Sequence, residues 1–214
     1  MSAFANNNPL ANELGIGSVA GERQPDAHHR GRDTVRGYVN DLIAAHRHVL
    51  EAMKRHPKDS SLMQVAGAAE TLSDVCTRLQ WNIEVLEQCT SELGGKGAAG
   101  HLKEALTVMS GAVTGIYGQL RPEAASRMLR DDHTALNFLM TCSWMLHITA
   151  RSLGEDATAD RSEQIVRGFP PLIGRVSHML AAAVVTDLRK EGHELMTEST
   201  STGIALWQDA WTRG

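Results

Sequence analysis

The fold is decided by one long apolar-faced stretch, Ala124–Leu153, which reads AASRMLRDDHTALNFLMTCSWMLHITARSL. Its apolar residues recur three and four positions apart, and this spacing predicts an α-helix. A helix of this length spans roughly 43 Å and needs partner helices to cover its apolar face. The predicted inward face consists of Leu129, His133, Leu136, Met140, Ser143, His147 and Ala150, widened by Leu139, Met145 and Leu146.

Three further helical segments supply the partners. The first is predicted over residues 33–55 with Asp33 and Thr34 as caps, and the second over residues 60–93, beginning at Ser60-Ser61. The last begins near Asp156, and Pro170-Pro171 predicts a kink or a restart within it. Residues 95–123 predict one or two short helices that cross between two helical hairpins. The expected fold is an all-α antiparallel four-helix bundle.

The predicted bundle covers residues 34–192, with a tail on each side. Residues 1–33 predict a flexible arm because they are rich in Asn, Gly and charged residues. Residues 193–214 predict a polar tail with a short helix that carries Trp207 and Trp211 on one face. Two interpretations of these tryptophans stay open. The helix caps the bundle of its own chain, or it docks onto a second copy or another partner.

Composition excludes several classes of function. The net charge of −4 without a basic run argues against nucleic-acid binding. The longest strongly apolar run, Met179–Val185, is too short to cross a bilayer. Cys76, Cys89 and Cys142 are odd in number and form no CxxC pair, so we expect reduced thiols in a cytoplasmic protein. Bundles with spare apolar faces commonly dimerise, and we expect a homo-oligomer, most simply a dimer.

A short apolar motif lies inside the arm. Residues 14–22 read LGIGSVAGE and resemble the cargo-loading peptides that direct enzymes into encapsulin shells. Such a peptide binds in an extended conformation, with larger side chains in shallow pockets and glycines that let the two backbones approach. The alternatives are an arm that packs locally and a strand that wraps a neighbouring subunit. The predicted partner-binding residues are Leu14, Ile16, Gly17, Ser18 and Val19.

Over residues 35–185 the chain resembles the ferritin-like superfamily, and within it the YciE/YciF-type branch, also called DUF892. The resemblance implies a four-helix bundle with one long crossover. It also implies a possible centre of two iron or manganese ions, held by two carboxylates and two Glu-x-x-His pairs. The stretches that carry it are DLIAAHR at 41–47, VLEQ at 85–88, ELG at 92–94, LRDD at 129–132, LGED at 153–156 and EQ at 163–164.

The ligand positions implied by the resemblance lack the expected residues. His46 occupies the first-helix glutamate position, and a lone inward histidine is more often a hydrogen-bonded core residue than a ligand. A di-metal centre needs about four carboxylates to balance its charge in a low-dielectric core. Only His46 and Glu70 remain as metal candidates, and no catalytic residue is predicted. The other positions are Ala69, Leu72 and Cys76 on the second helix, Leu136 and Asn137 on the third, and Gly168, Phe169 and Pro170 on the fourth.

Two functions therefore stay open on the sequence alone. The first is a degenerate ferritin-like bundle that acts as a structural or stress-associated interaction module, without a cofactor, and as possible cargo of an encapsulin-type nanocompartment. The alternative is a di-metal oxidase or an iron-handling protein that uses iron or manganese.

Overall fold

The computed structural model describes residues 25–56, 59–95, 124–196 and 198–212. Within these ranges the chain forms five α-helices and one short 3₁₀ helix at Leu62–Gln64. The prediction of an all-α helical bundle is confirmed. The helices are α1 (Pro25–Met53), α2 (Ala68–Glu92), α3 (Ala125–Ser152), α4 (Asp156–Lys190) and α5 (Ser199–Thr212).

Four of these helices pack as a square in which α1 and α4 each contact both α2 and α3. Contacts at the helix ends fix the directions. Arg32 near the start of α1 donates to the carbonyl of Glu92 at the end of α2, at 2.7 Å. His56, just after α1, bonds to Asp132 in the second turn of α3. Arg161 near the start of α4 pairs with Glu92. Neighbouring helices are thus antiparallel, so α2 ends and α3 begins at opposite ends of the bundle.

Two helix starts differ from the prediction. Helix α1 begins at Pro25 rather than near Asp33, so Asp33 and Thr34 lie inside it instead of capping it. Proline is well suited to a first helical turn, where its missing N–H has no partner to lose. Helix α2 begins at Ala68 rather than near Ser60, because Gly67 interrupts the chain with a left-handed φ of 75°. Ser60-Ser61 instead precede the short 3₁₀ helix.

Helix α4 runs without interruption through Pro170 and Pro171, so the predicted restart is wrong. Two prolines inside a helix remove two backbone hydrogen bonds. The apolar face continues across them, however, since Phe169, Leu172 and Ile173 are all buried. Each such side chain contributes about 1.5–3 kcal/mol when buried, which together is comparable to the cost of about 3 kcal/mol for each interior proline. By length and composition alone α4 is long and apolar enough to cross a bilayer, and here one face of it, including Ile165, Phe169 and Val176, packs in the core of the bundle.

Helix α3 matches its predicted bounds within a residue at each end. Its buried face is shifted slightly from the predicted one, because His133, Met140 and His147 are half-buried and Met145 is exposed. Asp132, which was not placed on the inward face, is fully buried. The face instead consists of Ala125, Leu129, Asp132, Ala135, Leu136, Leu139, Ser143, Leu146 and Ala150.

Helix α5 packs on α4, as the self-capping interpretation of the tail predicts. Trp207 is half-buried against the core and meets the His178 ring edge-on, with ring centroids 6.3 Å apart. Trp211 lies beside Trp207 at 5.7 Å but stays more than half exposed. The arm motif at 14–22 and the crossing segment at 96–123 lie outside the described residues.

Candidate functional site

His46 lies on α1 about two turns before the end of the helix and is fully buried, as predicted for an inward-facing residue. Its Nδ1 is 2.9 Å from the carbonyl oxygen of Leu42, one turn earlier. A carbonyl can only accept, so Nδ1 carries the proton and Nε2 is left as an acceptor. Burial lowers the pKa of His46 to about 4, although the bond to Leu42 works in the opposite direction. The imidazole is therefore neutral at physiological pH.

Asn82 of α2 completes the polar group at the centre of the bundle. Its Nδ2 lies 3.3 Å from Nε2 of His46, and the side chain is fully buried. Its Oδ1 has no hydrogen-bond partner among the described residues. From the opposite corner of the square, Phe169 of α4 brings its ring centroid to 6.0 Å from the imidazole. The middle layer is thus a neutral histidine, an amide and an aromatic ring. Sequence reasoning missed Asn82, because no spacing rule links positions 46 and 82.

Glu70, the other predicted metal candidate, does not lie near His46 and Asn82. Glu70 lies in the first turn of α2 and is exposed. It is twelve residues before Asn82, which corresponds to roughly 18 Å along the helix. On α3, Asn137 donates back to the carbonyl of His133 at 2.8 Å, and Leu136 is fully buried. Across the described ranges, no three His, Cys, Asp or Glu side chains converge in a way that could hold a metal ion.

A second buried polar pair joins the end of α1 to the start of α3. His56 Nδ1 lies 2.8 Å from Oδ2 of Asp132, and both side chains are almost fully buried. Burial lowers the pKa of His56. The bond to Asp132 and the negative charges of Asp132, Asp59 and Asp131 outweigh that effect, so the net pKa is raised. This pair also escaped prediction, since its members are far apart in sequence.

The thiols are poor nucleophiles in this environment. Burial raises the pKa of Cys76, Cys89 and Cys142, and the negative charge of Asp132 raises that of Cys76 further. All three cysteines are free in the structure. Since nucleophilic cysteines need a lowered pKa, neither the His56–Asp132 pair nor Arg161 beside Cys89 creates a reactive thiol.

A groove opens on the outer side of the bundle between α1 and α3. Its volume is about 140 Å³, and its walls are mainly apolar. Partial burial raises the pKa of the one carboxyl group that lines it. The lining residues are Tyr38, Asp41, Leu42, Cys142 and Met145.

The candidate site thus has three parts: the neutral His46–Asn82 layer, the buried His56–Asp132 pair and the outer groove. The two buried pairs can hold helices in register through hydrogen bonds. Of these three parts, the groove is the one open enough to receive a ligand. No protein-family model matches this chain, and no curated protein matches it.

Proposed function

We propose that this chain is a ferritin-like four-helix bundle. The directions in which its helices run support this proposal. The two central helices α2 and α3 run the same way, and residues 96–123 join ends that lie at opposite poles of the bundle. Ferritin-like folds have one long crossover of this kind, whereas simple up-down bundles join neighbouring antiparallel helices by short loops.

The bundle acts as an interaction module and carries out no di-metal chemistry. The observation that supports this proposal is the layer around His46, the first-helix ligand position that the resemblance implies, where His46 meets Asn82 and Phe169 instead of carboxylates. An asparagine and a phenylalanine supply no negative charge, and a buried divalent cation without carboxylates would be strongly unfavourable. The Nε2 of His46 is also already engaged by Asn82.

The partner is met through the N-terminal arm, at residues 14–22. The sequence LGIGSVAGE resembles a cargo-loading peptide, and the chain directly after it enters α1 at Pro25. A peptide motif that precedes a stable bundle can bind a partner in an extended conformation without any change in the bundle. An encapsulin-type shell is the partner that this resemblance favours, with a stress-associated cytoplasmic role.

Co-expression with an encapsulin-type shell protein tests the arm. The intact chain should co-purify with assembled shells, and removal of residues 1–23 should abolish this while leaving the helical circular dichroism unchanged. A matched pair of substitutions separates the motif from the mere length of the arm. Leu14→Ser with Ile16→Ser should prevent loading, and Asn6→Ser with Asn7→Ser should not. Loading that survives the loss of Leu14 and Ile16 would contradict the proposal.

A further inference from the structure

The groove between α1 and α3 has the size of a small ring. Its volume of about 140 Å³ is close to that of an engineered apolar protein cavity of roughly 150 Å³ that binds benzene. Tyr38 and Met145 form its outer edges, and both remain about two-fifths exposed. Leu42 is buried and forms the floor. The groove can therefore take one six-membered ring or a short branched chain from solvent.

One carboxylate in this apolar groove favours a positively charged ligand. Asp41 lines it from α1 with an exposed side chain, and the partial burial of its carboxyl group raises the pKa. Within the part of the chain that the structure describes, no Lys, Arg or His forms an ion pair with Asp41. A partly desolvated carboxylate gains from a nearby cation more than a fully hydrated one does. The Tyr38 ring adds to this preference, since its face attracts cations.

We propose that the groove between α1 and α3 binds a small amphipathic amine. Its hydrocarbon part packs against Tyr38, Leu42 and Met145, and its protonated amino group lies at the rim beside the Asp41 carboxylate. The same carboxylate repels anions. Neutral molecules of equal size bind more weakly than the amine because they lack the ionic attraction. This site is independent of the interior layer, so it stands whether or not the bundle is a metal-free member of the ferritin-like class.

Benzylamine is the probe, with benzyl alcohol and benzoate as neutral and anionic analogues of the same size. The readout is the alkylation rate of Cys142, which lines the groove and is half-buried, measured by mass spectrometry. Cys76 is also half-buried but lies on α2 outside the groove, and it serves as the internal reference. Benzylamine should slow alkylation of Cys142 but not of Cys76. Because a partly exposed ion pair is weak, we expect benzylamine to bind about two- to fivefold more tightly than benzyl alcohol.

Asp41→Asn keeps the shape of the groove and removes its charge. In this variant benzylamine and benzyl alcohol should protect Cys142 equally. The matched control is Asp33→Asn, an exposed change on the same helix that should keep the preference for the amine. Equal protection by the amine and the alcohol in the unmodified chain would overturn the proposal. Protection of Cys142 that rises with protein concentration without any probe would also overturn it, because a second copy would then cover the groove.

Discussion

At the scale of single residues, the centre of the bundle depends on one neutral polar pair, His46 and Asn82. His46 donates to Leu42 and accepts from Asn82, so both of its nitrogens are engaged without a charge. A buried polar group is inexpensive while its partner is present and costly once the partner is removed. The pair therefore fixes how α1 and α2 face each other more than it adds to total stability.

Because loss of one partner costs more than loss of both, a double-mutant cycle at His46 and Asn82 has a predictable result. Asn82→Leu leaves Nε2 of His46 buried without a donor, and His46→Leu leaves the Asn82 amide unpaired. Each single change should lower the free energy of unfolding by about 1–3 kcal/mol, measured by urea denaturation. The double change should cost clearly less than the sum, because no polar group is stranded. Ala69→Leu, an exposed change on the same helix, should stay within about 0.5 kcal/mol. Strictly additive effects at positions 46 and 82 would contradict the pairing.

The His56–Asp132 pair predicts a pH dependence of stability. The pKa of His56 is raised in the folded chain, so its stabilising effect is complete below its ordinary pKa of 6.5 and is lost as the pH rises through the folded value. Asp59 and Asp131 face the same imidazole and act in the same direction. His56→Gln should therefore cost about 1–3 kcal/mol near pH 6 and less near pH 9.

The measurement is the free energy of unfolding of both proteins at a series of pH values. The control is His48→Gln, at a half-buried position on α1 outside the pair, which near pH 6 should cost less than His56→Gln. A cost at position 56 that is the same across this range would show that His56 stays neutral in the folded chain.

At the scale of elements, the second half of the bundle shows how packing overrides local sequence signals. Pro170-Pro171 predicts a break, yet α4 continues because its buried face continues. Just before the prolines, the guanidinium of Arg78 lies against Gly168 and donates to the carbonyl of Gln164 at 2.9 Å. The same guanidinium stacks over the Trp81 ring at 4.1 Å. Arg78 thus connects α2 to the proline-containing turn of α4.

The contact between Gly168 and Arg78 predicts an interaction between two substitutions. Alanine is favoured over glycine inside a helix by up to about 1 kcal/mol. In the unmodified chain Gly168→Ala should not raise the stability. The added methyl group meets the Arg78 guanidinium and displaces its hydrogen bond to the carbonyl of Gln164. In an Arg78→Ala background the same change should stabilise the protein. A thermal-unfolding double-mutant cycle measures the difference, and the absence of coupling would contradict the contact.

At the scale of the whole molecule, the helical class and the positions of the four bundle helices followed from apolar periodicity. That signal is local, and α3 with its strict three- and four-residue spacing is the clearest case. The true starts of α1 and α2 did not follow from it. Asp33 resembles a cap in isolation, but Pro25 upstream also suits a helix start, and the sequence gives no means of choosing.

The candidate site was less predictable than the fold. The inward direction of His46 could be read from its own helix. Its partner Asn82 and the His56–Asp132 pair could not, because each joins positions that only the folded bundle brings together. The groove could not be predicted from the sequence for the same reason, because its walls come from two helices, α1 and α3. Local patterns thus indicate which residues face inward, and long-range packing decides what they meet.

The central claim is our proposal that neutral side chains surround His46, at the position where the resemblance to ferritin-like proteins implies a metal ligand. The most direct test is the metal content of the protein, purified without chelators from cells supplied with iron and manganese and measured by mass spectrometry. We predict far less than one equivalent of either metal per chain, with the same value for His46→Ala. One or two equivalents of iron or manganese per chain, lost in His46→Ala, would contradict the claim.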